Sequence, residues 1–372
     1  MINVIFLIDR MWGANGGTEG QLLMLYNNLD KEKFKVHLFC LQNTAWLESS
    51  EYKSRITVLD VPRLLSWKAL VAVLRFRRYC RGNRIEIVQT YFHDSFIFGA
   101  IAGRLAGVRK IISCRRNLGP GFWGRRGLLR VFRIIKRLTW KYLANSAATK
   151  ESIRQYEGID PAKIAVIYNG LDLSRFETVD EKYRWDTRKH LNIGESDILI
   201  IMVSHLRKEK NIPLFINAAE RINRTFPQTR FLLLGAGPIE AEISEAVREQ
   251  GLQKLFSLPG SVPDVVPYLA ASDIACLTSD GESYSNAIIE YLAAGLPVAA
   301  TAVGGNIEAL RENGFLFPSG DMEKLVEILG LLIENKELRI QQGIKGRHEA
   351  FEKYSISRMV GEHEKIYEDA EN

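Results

Sequence analysis

Two glutamates eight residues apart, Glu282 and Glu290, carry the most pointed chemistry in the sequence. Between them, Ser283-Tyr284-Ser285-Asn286 leads from an apolar, strand-like run into a helix that opens near Ser285, and Gly295 closes that helix before another apolar run. The first N–H groups of such a helix have no partner within it, and its dipole is positive at that end. A diphosphate can therefore be held there without side-chain charge. Were the whole interval helical, the two carboxylates would stand roughly 12 Å apart along the axis, enough to reach groups on both sides of a bound diphosphate. The plainer alternative is a capped amphipathic helix with two surface carboxylates.

Other segments offer complementary groups. Ser204-His205-Leu206-Arg207-Lys208-Glu209-Lys210-Asn211 follows an apolar run and concentrates cations, the plain alternative being a solvated charge cluster. Gly16-Gly17-Thr18-Glu19 follows the first apolar run and opens a helix, where glycines let backbone approach a ligand closely. His93 comes just after the run Glu86–Gln89; a lone histidine is more often structural than catalytic. There is no Asp-x-Asp pair to hold a divalent ion and no Gly-x-x-x-x-Gly-Lys-Ser/Thr loop. A bound phosphate would then be held by helix N–H groups and basic side chains.

The elements that must position these groups alternate along the chain: short β-branched runs, then longer amphipathic stretches, the pattern of parallel strands joined by helices. Strands are predicted at 3–8, 35–39, 55–59, 86–89, 110–113, 142–145 and 164–167, and again at 198–203, 230–234, 255–258, 274–277 and 298–300. Between them, 174–197 is charged and lacks an apolar period, which predicts a domain boundary. The expected α/β architecture is two Rossmann-like domains facing a central cleft. The N-terminal domain spans 1–173, with a C-terminal helix at 355–372 packing back on it, and the C-terminal domain spans 174–354. Ligands in such folds bind at the carboxyl ends of the strands.

With 372 residues, 46% hydrophobic and 25% charged, the chain suits two globular domains. Its four cysteines form no Cys-x-x-Cys pair and are expected as buried free thiols in a reducing compartment. The first ten residues read as a strand rather than a signal peptide, and no run is long enough to span a bilayer, so a cytoplasmic protein is expected. The net charge of +6 is unevenly spread: from Ser95 to Lys150 there are thirteen Lys or Arg and no Asp or Glu. Within Phe122 to Leu143, the apolar Leu128, Val131, Ile135 and Leu138 share a helical face bordered by basic residues, the form of a helix lying at an anionic membrane surface. A helix packed on the sheet is the alternative. Nucleic acid would feel the same field, but no aromatic-rich recognition motif accompanies it.

The Glu282–Glu290 segment closely resembles the Glu-x7-Glu motif of the family 4 retaining glycosyltransferases, which have the two-domain GT-B fold. The resemblance extends over nearly the whole chain through Gly16–Glu19, Val166–Asp172, Leu234–Pro238 and Pro259–Asp264. It implies a nucleoside-diphosphate sugar donor whose ribose is bound by Glu290 and whose transferred sugar meets Glu282. The backbone of Ser283, Tyr284 and Ser285, with Asn286 beside it, would lie along the sugar and phosphates. Val262 would meet the base, and Gly16 and Gly17 the donor phosphate and acceptor. Lys210 matches the family's diphosphate-binding lysine. At the usual arginine position stands His205, with Arg207 two residues later, and either can supply the second positive group. His93 would face the transferred sugar or the acceptor.

The catalytic candidates implied are thus Glu282, Lys210 and His93, with no metal and no cofactor beyond the co-substrate. The acceptor would be a hydroxyl of a glycan or of a polyprenyl-diphosphate-linked glycan, in surface polysaccharide synthesis, with the enzyme on the cytosolic face of a membrane. The rival readings are a nucleotide-sugar epimerase or a sugar phosphorylase of similar fold, and a non-catalytic module that binds nucleotide sugar or nucleic acid.

Overall fold

Seven short runs rich in Ile, Val and Leu build a wholly parallel sheet in the N-terminal part of the chain. They are β1 (Ile2–Ile8), β2 (Phe34–Cys40), β3 (Ile56–Val58), β4 (Ile87–Tyr91), β5 (Lys110–Arg115), β6 (Lys141–Ala144) and β7 (Ile164–Val166), in the order β3-β2-β1-β4-β5-β6-β7. The computed structural model describes residues 1–14, 17–118, 128–177 and 181–369, apart from the side chains at 128–131 and 133. Helices cover both sheet faces, which is why the central strands are apolar on both sides. On one face the helices Trp67–Gly82, His93–Ala106 and Leu128–Leu138 bury Phe76, Phe96, Phe132 and Ile135. On the other, Gly17–Asn28 and the C-terminal helix Ile356–Glu368 bury Leu22, Leu25 and Tyr367. Tyr367 donates to Gln89 Oε1 at 2.7 Å and sits edge-on to Phe34, which ties the end of the chain to this sheet.

A second parallel sheet follows: β8 (Ile198–Val203), β9 (Thr229–Leu234), β10 (Phe256–Gly260), β11 (Ile274–Leu277), β12 (Val298–Thr301) and β13 (Phe315–Phe317), ordered β10-β9-β8-β11-β12-β13. The chain divides into two compact units, Met1–Gly170 with Ile356–Asn372, and Leu171–Ser355. In each sheet the winding reverses beside its first strand, between β1 and β4 and between β8 and β11. Those switch points are where open parallel sheets hold ligands, beyond the carboxyl ends of the strands.

The stretch 174–197 lies in the C-terminal unit, and Glu181–His190 within it is a helix. It is held by Arg188, only 1% exposed, which donates to the carbonyls of Ala271, Gly194 and Asp197 and pairs with Asp273. The helix Leu128–Leu138 does not present Ile135 to a bilayer: Ile135 and Phe132 are buried in the core under the sheet. Phe122, Trp123, Arg125 and Arg126 lie outside the described residues, as do the side chains of Leu128 and Val131. The four cysteines are free and buried as expected, and burial pushes the thiols of Cys80 and Cys114 up to about 12, which leaves them poor nucleophiles.

Candidate active site

In the C-terminal unit the loops after β8 and β11 meet at the switch point. After β8 the chain makes a tight turn at Lys208–Lys210, then enters the helix Ile212–Thr225 through Asn211, whose φ of 45° is left-handed. Lys210 donates to Glu282 Oε1, and Ser279 Oγ donates to the same oxygen at 2.8 Å. The Lys210 and Glu282 side chains are 20% and 10% exposed, so the pair is only partly screened by water. Thr278 Oγ1 donates to the carbonyls of Lys210 and Asn211, and Asn211 Nδ2 to Asp280 Oδ1, all at 3.0 Å. The two loops are therefore cross-linked rather than merely adjacent.

A third loop, after β12, closes on the same place. Gly305 N–H donates to Glu282 O at 3.0 Å, and a methyl group at Gly305 would stand 2.2 Å from Ser283 O. Only glycine permits that approach. Tyr284 is buried and its hydroxyl donates to the Tyr354 hydroxyl at 2.6 Å, anchoring the turn before the helix Asn286–Ala293. Ser285 is the N-cap residue and its side chain makes no cap hydrogen bond.

Glu290 lies one turn into that helix. Burial lifts its carboxyl to about 7, opposed by Arg175 and reinforced by Asp264. Arg175 Nη2 pairs with Asp264 Oδ1, so a cation and a second carboxylate stand near this half-buried acid. Val262 is half-buried in the segment between β10 and Asp264. His205 is exposed on the loop after β8 and its imidazole is held below its ordinary pKa by burial of its ring and by Arg207. It abuts the Gly-Ala-Gly turn, where a methyl at Gly237 would come within 2.7 Å of its Nδ1. Arg207 is turned to Glu209 at 3.9 Å, both half-exposed.

The N-terminal unit has its own pocket, a cavity of about 260 Å³ lined by Thr18, Phe92, His93, Cys114, Arg115, Arg116 and Asn117. His93 begins the helix after β4, and burial, aided by Arg115, pushes its pKa down to about 4, so the imidazole is neutral near pH 7. Phe92 before it has φ 71° and ψ −177°, a backbone conformation rare outside glycine and typical of functional turns. Arg115 pairs with both oxygens of Glu157 at 3.1 and 3.2 Å, and lies 4.3 Å over the Phe96 ring. Arg116 Nη1 donates to Asn169 Oδ1 at 2.6 Å. Asp9, just beyond β1, accepts from Ser95 N at 2.6 Å and is raised by burial to about 6. Gly17 starts the helix Gly17–Asn28; Gly16 lies outside the described residues.

Sequence reasoning brought together Glu282, Lys210 and Glu290 but missed Asp9, Phe92, Arg115, Arg116 and the Arg175–Asp264 pair. The first four lie at or just beyond the ends of β1, β4 and β5, which strand order places side by side in the N-terminal sheet, and Arg175 and Asp264 pair within the C-terminal unit across 89 residues of sequence. The strained aromatic ahead of His93 leaves no signal in the sequence.

Residues 15–175 match the family described as Glycosyltransferase Family 4, and residues 183–349 match that described as Glycosyl transferases group 1. The chain is 26% identical over 339 residues to the UDP-Gal:alpha-D-GlcNAc-diphosphoundecaprenol alpha-1,3-galactosyltransferase of Escherichia coli, covering 87% of this chain and 86% of that one. It is 25% identical over 361 residues to the N-acetylgalactosamine-N,N'-diacetylbacillosaminyl-diphospho-undecaprenol 4-alpha-N-acetylgalactosaminyltransferase of Campylobacter jejuni, covering 93% and 95%. Among solved structures, HepE of Anabaena in complex with UDP superposes with a TM-score of 0.85 at 19% identity, covering 99% of this chain and all of that one. With both halves matched and the pair of parallel sheets shared over nearly its full length, the chain belongs to glycosyltransferase family 4 and has the GT-B fold.

Proposed function

We propose that the protein transfers a sugar from a nucleoside-diphosphate sugar to a hydroxyl of a polyprenyl-diphosphate-linked glycan, with retention and without a metal ion, in surface polysaccharide synthesis. The observation that carries this is the cluster of Lys210, Ser279 and Glu282 at the mouth of the Asn286–Ala293 helix, with Glu290 half-buried one turn inside it. In this reading Glu290 takes the ribose hydroxyls and Val262 borders the base. The N–H groups around Ser283 to Asn286 meet the diphosphate, and Lys210 swings from Glu282 to the leaving phosphate, with His205 or Arg207 as second cation. Glu282 then meets the transferred sugar. His93, neutral and at the N-terminal switch point, serves the acceptor side with Gly16 and Gly17.

The lipid-linked acceptor is supported by the two relatives named above, both of which act on diphosphoundecaprenol-linked sugars. Such an acceptor would bring the enzyme to the cytosolic face of a membrane.

The test is release of nucleoside diphosphate from a panel of nucleotide sugars, with and without a polyprenyl-diphosphate glycan and with EDTA present throughout. Acceptor-stimulated turnover that survives EDTA, and a product with the donor's anomeric configuration by NMR coupling, are expected. Activity restored only by magnesium or manganese, or an inverted product, overturns the corresponding part of the reading.

A further inference from the structure

The outer surface of the helix Trp67–Gly82 is unlike that of an ordinary sheet-covering helix. Its inner face is conventional: Ala69, Ala72, Phe76 and Cys80 recur at three- and four-residue steps and are buried in the core. The opposite face should be polar, yet Trp67 is 76% exposed, Leu70 53% and Leu74 57%, and Leu65 just before the helix is 99% exposed. Further along the same outer face the stripe turns basic, through the exposed Arg75, Arg78 and Arg81. From Val61 to Ile85 there are seven Lys or Arg and no Asp or Glu. The helices Leu128–Leu138 and His93–Ala106 of the same layer add exposed Ile134, Ile101 and Leu105.

We propose that this face, Leu65 to Arg81 on the helix layer of the N-terminal unit, is a docking surface for a membrane containing anionic lipid. It deepens, and rests on, the reading that the acceptor is lipid-linked.

Adjacent aliphatic side chains and a tryptophan in water mark a surface meant to be covered. Trp67 and the leucines suit the apolar boundary of a bilayer, while the arginines reach up to lipid phosphates from long apolar stems. A second copy of the chain would set basic residues against basic residues, and a nucleic acid would leave Leu70 and Leu74 without a partner. Among the described residues no helix is long and apolar enough to cross a membrane, so the contact is with the surface. The docking helix is not the one whose sequence looks most like an interfacial helix. The difference is burial, since Phe132 and Ile135 are committed to the core and Trp67, Leu70 and Leu74 are not.

The test is co-sedimentation of the full chain with phosphatidylcholine vesicles, with and without phosphatidylglycerol. Binding that requires phosphatidylglycerol and falls with salt is expected. Replacing Trp67, Leu70 and Leu74 together with Ala should weaken it by about tenfold or more. Replacing Arg75, Arg78 and Arg81 with Gln should weaken it on the order of a hundredfold at low salt, from about fivefold per charge. Both variants should keep wild-type hydrolysis of the donor, which reports that the fold is intact. Wild-type binding that both variants retain overturns the assignment of this face, as does wild-type indifference to anionic vesicles. Self-association without lipid that the alanine variant abolishes also overturns it, in favour of a dimer. Transfer to a detergent-dispersed polyprenyl-diphosphate sugar tests the acceptor reading separately, and there the variants should match wild type.

Discussion

Lys210 and Glu282 form an ion pair across the switch point of the C-terminal sheet, one following β8 and the other β11, with Ser279 completing the carboxylate's bonding. The pair pre-positions a cation and an acid that the proposed reaction uses on different parts of the donor. Lys210→Ala should lower kcat by on the order of a hundredfold or more, as expected for removing one preorganised donor to a developing negative charge. Glu282→Ala should act mainly on kcat with a smaller change in donor KM. Steady-state kinetics on both variants check this, and a change confined to KM would contradict the assigned roles.

In the proposed role of Glu290 on the ribose hydroxyls, this half-buried acid links donor binding to pH. Its carboxyl is raised from an ordinary value near 4.5 to about 7, so the folded protein binds its proton more tightly than the unfolded chain. The stability associated with this group is therefore full below about pH 4.5 and is lost as pH rises through about 7. Donor binding runs the other way, because ribose hydroxyls donate to the ionised form. The affinity for a nucleotide sugar, whose diphosphate diester has no proton to lose in this range, should rise from about pH 6 to about pH 8. Glu290→Gln should weaken binding and flatten the slope, as measured by calorimetry at several pH values.

Much of the fold was legible because parallel strands buried on both faces leave apolar runs that survive in sequence, as in β1 and β8. The short β13 did not stand out, since Phe315–Phe317 follows Arg311-Glu312-Asn313-Gly314 and precedes a proline. The helix Glu181–His190 was illegible for a different reason. Its stability comes from Arg184 and Arg188 bonding the carbonyls of Ala270, Ala271 and Ser272, and so leaves no apolar period. At the candidate site, the Glu282–Glu290 spacing was legible within a single segment. The N-terminal cavity was not, because Thr18, Phe92 and Arg116 come from separate segments that only the strand order brings together.

Arg115 and Glu157 are 4% and 8% exposed, and each is the other's charge partner beside the N-terminal cavity. Removing only one leaves a buried charge uncompensated. Glu157→Ala should cost about 3–5 kcal/mol of stability, read as a fall in the urea midpoint. Replacing both residues with apolar ones of similar volume should recover much of that loss. A Glu157→Ala midpoint equal to wild type would mean that solvent reaches the pair.

The last prediction concerns the loop after β12, which holds the backbone of Glu282. Gly305 donates its N–H to the Glu282 carbonyl, and a methyl group there would meet Ser283 O at 2.2 Å, well inside van der Waals contact. The obstacle is backbone, which cannot rotate away as a flexible side chain would. Gly305→Ala must therefore shift the Glu282–Ser283 segment or the start of the Gly305–Leu310 helix, and a displacement near 1 Å at reacting groups can cost about a hundredfold in rate. Turnover should fall at least tenfold, while far-UV circular dichroism and the donor KM change little. The discriminating control is Gly281→Ala, in the same loop as Glu282 but with nothing within 4 Å of the added methyl. That variant should retain near wild-type turnover; equal losses in the two variants would show that loop flexibility, rather than the close approach at Gly305, limits the reaction.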